Sequence, residues 1–267
     1  IAVTNTPGLI GSLLVGLMFA KSLSYANNIP LIPVNHINGH IFSSFIDNDV
    51  KLPAISLVVS GGHTNLYYIY EENGKIITDL LGETLDDAVG ETYDKIARIL
   101  GLEYPGGPHI DKLSVSGKDI LKIKKPKVDG YNFSFSGIKT FITNYVNTQN
   151  MKGNPFSKED IAKSLQEIIV NVLYDKILMA VKEKDVKTIL VAGGVSANRR
   201  LREKFSEFTN LKTDENEQIQ VHFPKMEYCT DNAAMIGVAA YYDLKNNSQI
   251  NLEKQYDVDA ISTKLEK

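Results

Sequence analysis

The chain has 267 residues, 43% of them hydrophobic and 23% charged, which is room for one large domain or two ordinary ones and excludes disordered, collagen-like and low-complexity classes. Lys and Arg total 29 against 32 Asp and Glu, a net charge of −3, so bulk positive charge does not hold nucleic acid here and any RNA contact needs a local basic patch or a partner. The one cysteine, Cys229, excludes an internal disulfide and fits a reducing cytosol.

The sequence opens at Ile1 on an apolar strand, IAVTNTPG, and so reads as starting in mid-strand. Leu9 to Ala20 is the longest apolar run. It is shorter than the roughly 20 residues a membrane span needs, and no basic stretch precedes it as in a signal peptide. It reads as a buried helix, and no membrane segment is expected. His36 and His40 follow in His-Ile-Asn-Gly-His. On a helix, a spacing of four puts both imidazoles on one face, where they can share a metal; surface or capping roles are the alternative. A zinc protease of the His-Glu-x-x-His type would need its basic glutamate where Ile37 stands.

Ala54 to Val59 is an apolar, β-branched strand, followed by the Gly61-Gly62 turn and a second strand, Asn65 to Tyr70. Asn73-Gly74 signals another hairpin, leading into Lys75 to Thr78. Thr84 to Leu100 carries helical periodicity, with Asp87, Glu91 and Asp94 on one face. Tyr104 to Pro108 (YPGGP) reads as a loop. Lys118, Lys122, Lys124, Lys125 and Lys127 make a basic run that suits phosphates or simply a solvated face. Asn132 to Thr140 reads as a strand and a helix start, and Asn150 to Ser157 as a linker. A long amphipathic helix then carries Ile161, Leu165, Ile168, Ile169, Val172 and Leu173. Thr188 to Ala192 is a buried strand closed by Gly193-Gly194, Ala197 to Phe205 a helix with its own small run of Arg199, Arg200 and Arg202, Ile219 to Phe223 a strand and Ala233 to Tyr242 a helix. Asp231 sits at a helix start, where it serves as an N-cap or as the carboxylate that completes a two-histidine metal site for iron or zinc.

Alternating strands and helices indicate an α/β class, and two Gly-Gly turns after buried strands suggest a nucleotide in a cleft between two lobes.

Six segments occur in one order: VNHINGH, LVVSGGHTNLYYI, GETLDDAVGETYDKIARILGLEYPGGP, FSFSGIKT, LVAGGVSANRRLR and YCTDNAAMIGVAA. Together they resemble the tRNA N6-adenosine threonylcarbamoyltransferase family, once labelled O-sialoglycoprotein endopeptidases, in its bacterial and organellar form. The resemblance runs from Ile1 to about Tyr242 and implies an actin-like ATPase fold of two lobes, residues 1–110 (N-terminal, incomplete) and 111–267 (C-terminal), with a nucleotide cleft between them. It implies transfer of a threonylcarbamoyl group from threonylcarbamoyl-AMP to N6 of the adenosine beside the anticodon, in tRNAs reading codons that begin with A. The family's metal ligands fall on His36, His40 and Asp231, for one divalent ion, iron or zinc. Its substrate-binding turn falls on Val59, Ser60, Gly61, Gly62 and His63, and further adenylate contacts on Asp94, Gly107, Asp111 and Asn198. A general base is not assigned. The resemblance also implies a cytoplasmic protein with a same-fold dimer partner and a small ATPase subunit, and a start that lacks several strands of the first lobe. Competing readings are an actin-like kinase or ATPase, which would not need His36 and His40, a non-catalytic interaction subunit, and a metalloprotease, which lacks its glutamate.

Overall fold

The computed structural model describes residues 1–213, 216–246 and 255–262. The elements run β1 (Ala2–Thr6), α1 (Ile10–Asn27), β2 (Ile32–Asn35), α2 (His36–Ser43), β3 (Ala54–Val59), β4 (Thr64–Glu72), β5 (Lys75–Glu83), α3 (Val89–Ile99) and α4 (Gly106–Ser114). They continue with α5 (Ser136–Lys152), α6 (Lys158–Lys184), β6 (Thr188–Ala192), α7 (Arg199–Phe205), β7 (Gln220–His222), α8 (Met226–Cys229) and α9 (Ala233–Asn246). By contact the chain forms two compact units. The first is Ile1–Asp49 with Glu71–Ile77 and Pro224–Lys267; the second is Val50–Tyr70 with Thr78–Phe223. Neither is one continuous stretch, and residue 110 lies inside the second.

In the first unit β1 and β2 pair in parallel, Ala2 opposite Ile32. The chain turns from β2 straight into α2 because the Asn35 side chain accepts from the amides of Ile37 and Asn38, a cap on donors that have no partner inside the helix. Val34, Phe42, Met235, Ile236, Ala239 and Ala240 form the core between β2, α2 and α9. Small residues let these helices close up: a Cβ on Gly39 would stand 2.9 Å from Cδ1 of Ile236.

The apolar run at Leu9 to Ala20 is helical, but it is not a buried helix. Leu13, Leu17, Ala20 and Ser24 are its buried stripe, with Leu17 and Ala20 packed on Leu31. Leu14, Met18, Val15 and Phe19 stand exposed, the last two at 75% and 69%. A helix apolar all round needs cover all round, and only one stripe of α1 has it.

The five-stranded sheet has the order β5-β4-β3-β6-β7. β3 lies antiparallel to β4 and parallel to β6, and β6 parallel to β7. Every residue of β3 and β6 is buried, which is why these strands read as continuous apolar runs. The core of the second unit joins Ile55, Leu57, Val59, Tyr93, Phe133, Phe135, Leu165, Ile169 and Phe205. Ser157 caps the 27-residue α6 by accepting from the Asp160 amide.

The strand expected at the start of Asn132–Thr140 is only an isolated bridge from Phe133 to Thr84, β5 runs past Thr78 to Glu83, and three helix boundaries depart from the sequence pattern. Residues 84–88 are not the start of the helix: Leu85 donates to the Phe133 carbonyl at 2.9 Å and Thr84 Oγ1 to the Asp87 carbonyl at 2.9 Å, so α3 begins only at Val89. The YPGGP stretch is a loop only as far as Pro105, because α4 starts at Gly106, its amide held by Asp94 Oδ1 at 2.7 Å. Asn150 to Ser157 begins inside α5, which runs to Lys152 and stops at Gly153 with φ +65°.

Gly193 has φ +87°, and a Cβ there would stand 2.4 Å from the backbone oxygen of Val59. Gly193→Ala is therefore expected to destabilise the protein by about 2 kcal/mol or more, read as a lowered urea midpoint; an unchanged midpoint would refute the close approach.

Candidate metal centre and ligand ring

His36 opens α2 and His40 follows one turn later, so their side chains share a face; the rings meet edge-on with centroids 4.8 Å apart. Asp231 lies between α8 and α9 and reaches both, its Oδ1 standing 3.5 Å from His36 Nε2 and 3.3 Å from His40 Nε2. The helix cap that Asp231 was a candidate for is made by its neighbour: Asn232 Oδ1 accepts from the Met235 amide at 2.9 Å. Burial holds the His36 imidazole below its usual pKa, with His40 acting in the same direction and Asp231 against it. His40 is 1% exposed and its Nδ1 has no hydrogen-bond partner within the protein.

This donor set fits a divalent ion. Ligand atoms about 2.0–2.2 Å from zinc stand roughly 3.3–3.6 Å apart in a tetrahedral shell, and each histidine already stands at that spacing from Asp231, with all three ligand atoms within 4.8 Å of one another. Two neutral imidazoles and one carboxylate also leave coordination positions open, as in iron sites of this ligand set. Among the described residues no other group of three or more His, Cys, Asp or Glu side chains converges in this way.

The remaining sequence candidates all lie in the second unit, and the contacts between them close into a ring. At the end of β3, the Ser60 carbonyl accepts from the Gly90 amide at 3.1 Å, and a Cβ on Gly90 would stand 2.5 Å from that oxygen. One helical turn along α3 from Gly90 is Asp94, which holds the Gly106 amide and so the start of α4 beside Gly107. One turn along α4 from Gly107 is Asp111. Asp111 Oδ1 accepts from Gln166 Nε2 at 3.0 Å and Oδ2 from the Arg199 amide at 3.2 Å. Asn198 Nδ2 donates to Gln166 Oε1 at 3.0 Å while its own Oδ1 caps α7 through the Leu201 amide. A 3₁₀ turn, Gly194–Ala197, leads from Asn198 back to Gly193, which packs on Val59 where the ring began. His63 joins the ring through its amide, which donates to Ser60 Oγ at 3.1 Å.

The glycines of the ring divide into two kinds. Gly90, Gly106 and Gly193 are required by neighbouring backbone, whereas a Cβ on Gly61, Gly62, Gly107 or Gly194 would meet no protein atom within 4 Å, and none of those four has a positive φ. Neither packing nor conformation demands glycine at the second set. The space beside them is open, as it is beside Gly11, Gly16, Gly137 and Gly237, and it leaves room for a close approach to the backbone.

The basic runs separate as well. Arg200 pairs with Glu167 through two bonds of 2.7 and 3.0 Å, Arg199 pairs with Glu203, and Arg202 donates to the Ser196 carbonyl at 2.8 Å, so these arginines brace α7. Lys125 pairs with Asp175, while Lys118, Lys122, Lys124 and Lys127 are exposed.

Two polar residues that the pattern did not single out hold this region together. Gln166 is fully buried in the apolar stripe of α6, and an amide so placed is the signal that could have found it. Asp86 accepts from Ser134 Oγ at 2.5 Å, Ser136 Oγ at 2.6 Å, the Phe135 amide at 2.7 Å and the Ser136 amide at 3.2 Å, and thus caps α5 from outside.

The sheet and the α/β elements around it give a fold of the actin-like type. The fold matches HypF from T. kodakarensis with a TM-score of 0.65 at 16% identity, over 91% of this chain and 40% of that one. It matches full-length HypF in a phosphate- and nucleotide-bound form at 0.61 and 16%, over 88% and 45%. The particular family is narrower: the TsaD model, tRNA N6-adenosine threonylcarbamoyltransferase, matches residues 1–238, and the chain belongs to that family. The protein of that name from Fusobacterium nucleatum is 59% identical over 92% of this chain and 70% of its own length. Its counterpart in Bacillus subtilis is 48% identical over 90% and 68%. The aster yellows witches'-broom phytoplasma protein is 46% identical over 97% and 90%.

Burial pushes the Asp86 carboxyl up, but the Ser134 and Ser136 hydroxyls and the two amides outweigh it and hold the group below its unfolded value of 3.8. A carboxyl lowered by folding stabilises the protein above pH 3.8, and that stabilisation is lost as pH falls below it. Asp86→Ala is expected to cost about 1–2 kcal/mol at pH 7, as for a lost helix cap, and Asp86→Asn to flatten the acid limb of stability against pH. Equilibrium unfolding from pH 7 to pH 3 checks both, and an acid limb unchanged in Asp86→Asn would refute the capping role.

Proposed function

We propose that this tRNA-modifying acyltransferase takes its threonylcarbamoyl group from threonylcarbamoyl-AMP and places it on N6 of the adenosine beside the anticodon, in tRNAs reading codons that begin with A. The convergence of His36, His40 and Asp231 carries the reading, because neither an actin-like kinase nor a plain ATPase has need of it.

The reaction joins the N6 nitrogen to the carbamoyl carbon and breaks the bond from that carbon to the phosphate oxygen. The amine loses a proton and AMP leaves. An aromatic amine is a weak nucleophile, so positioning supplies much of the rate. His36, His40 and Asp231 would hold one divalent ion, iron or zinc, which when bound neutralises phosphate charge and polarises a carbonyl. In the second unit, Gly61 and Gly62 spare the space in which the backbone after Val59 and Ser60 would approach the adenylate, with His63 closing the turn. Gly107 does the same at the start of α4, and the Asp111 carboxylate suits ribose hydroxyls. Asp94 and Asn198, which hold the starts of α4 and α7, complete the adenylate contacts in this reading.

The exposed lysines between Lys118 and Lys127 offer the local basic patch that an acidic chain needs for tRNA. The exposed stripe of α1, with Val15 and Phe19, supports docking of a same-fold partner subunit. A small ATPase subunit belongs to the same reading, and a tRNA substrate supports a cytoplasmic setting. Among the described residues no helix is long and apolar enough to cross a membrane.

The test incubates the protein, its partner subunits, threonylcarbamoyl-AMP and tRNA, then digests the tRNA and weighs its nucleosides. Modified adenosine is expected with threonylcarbamoyl-AMP and not with ATP in its place; product from neither donor, or equal product from both, would sink the reading. Elemental analysis should find one divalent metal per chain, and Asp231→Ala should retain less than a tenth of it. Gly62→Ala is expected to keep the wild-type melting temperature and to bind AMP at least tenfold more weakly, measured by calorimetry.

A further inference from the structure

We infer that Gln166 is the positioning residue of the adenylate site: its carboxamide sets Asp111 and Asn198 in register with each other. The inference rests on the reading of those two residues as adenylate contacts.

Gln166 sits on α6, 0% exposed, with Leu165 and Ile169 of the same core beside it. A buried amide is costly unless its donors and acceptor are matched, and here they are. Nε2 donates to Asp111 Oδ1 at 3.0 Å and to Ser114 Oγ at 2.9 Å, and Oε1 accepts from Asn198 Nδ2 at 3.0 Å.

The direction of each bond is forced by its neighbours. The Ser114 hydroxyl gives its one proton to the Asp111 carbonyl at 2.8 Å, so it can only accept from Gln166. Asn198 Oδ1 accepts from the Leu201 amide at 2.9 Å, so the end of Asn198 facing Gln166 is its NH₂. Asp111 is a carboxylate and accepts only. The amide therefore has one orientation, with its nitrogen toward α4 and its oxygen toward α7. Three elements, α4, α6 and the start of α7, are tied at one buried point.

The tie acts on the groups that face ligand. With Gln166 on Oδ1 and the Arg199 amide on Oδ2, both oxygens of Asp111 are fixed in space. A carboxylate offers about four lone-pair positions, so two remain for hydroxyl donors. Without Gln166 the carboxylate can turn about its χ angles, and a ligand must then order it on binding. Gln166 touches no ligand itself; it acts through Asp111.

The experiment measures AMP affinity by calorimetry, with thermal unfolding alongside, on the wild-type protein, Asp111→Ala, Gln166→Leu, Gln166→Glu and the double variant Asp111→Ala/Gln166→Leu. Gln166→Leu is expected to weaken AMP about tenfold, and the double variant to bind no more weakly than Asp111→Ala alone, because Gln166 has nothing left to position. Gln166→Glu keeps shape and volume but, ionised, repels the Asp111 carboxylate and, protonated, has one proton for the two acceptors that Nε2 serves, so it should also weaken AMP, and it carries the test if Gln166→Leu does not fold. Wild-type AMP affinity in a folded Gln166 variant overturns the inference, whatever happens to its melting temperature. So does strict additivity in the double variant, which would mean that Gln166 serves the core and not Asp111. If Asp111→Ala binds AMP as the wild type does, the adenylate site itself has been misread, and the two failures are distinguishable.

Discussion

The second unit is organised by the approach of the β3 terminus to two other stretches of backbone. The carbonyl of Val59 lies where Gly193 would carry a Cβ, and the carbonyl of Ser60 lies where Gly90 would. Contacts of this kind cannot be met by repacking side chains, since both partners are main chain. They bring the end of β3, the start of α3 and the turn after β6 together, and α3 carries the constraint onward to α4 through Asp94 and Gly106. The positions of Gly62 and Gly107 are set by this frame although neither contributes to it, whereas the backbone of Gly61 is part of it, its Cα 2.8 Å from where Gly90 would carry a Cβ.

The first unit reaches its site by a simpler route. Asn35 starts α2 directly at His36, which fixes where the two imidazoles emerge. Gly39 lets α2 settle onto Ile236, and Asn232 rather than Asp231 caps α9, so the Asp231 carboxylate is spared for the histidines. Division of labour between adjacent side chains recurs at Asp86 and Asp87. Asp86 caps α5, while Asp87 binds Lys95 at 2.7 Å and Lys139 at 2.6 Å.

Much of this was legible in the sequence. The strands β3 and β6 declare themselves as unbroken apolar runs, α6 by its stripe, and the cluster of His36, His40 and Asp231 by a spacing of four with a distant carboxylate. What was not legible has a common cause. The helix expected from Thr84 begins at Val89 because Phe133, distant in sequence, captures the backbone at Leu85. The run at Leu9 to Ala20 suggests burial on composition alone, yet periodicity cannot say whether a second partner exists to cover Val15 and Phe19. Gln166 is one polar letter within an apolar helix, and its role depends on two residues that the fold, not the sequence, brings next to it.

The cluster of His36, His40 and Asp231 joins distant parts of the chain. His36 and His40 are neighbours on one short helix, but Asp231 comes about 190 residues later. Whatever ties these three together therefore pins both ends of a very long stretch of chain, and in an unfolded chain the same tie would be heavily opposed by loop entropy. An ion held by this cluster would thus be thermodynamically linked to the integrity of the fold, and the concentration of free ion around the protein would become one of the variables that set how readily it comes apart.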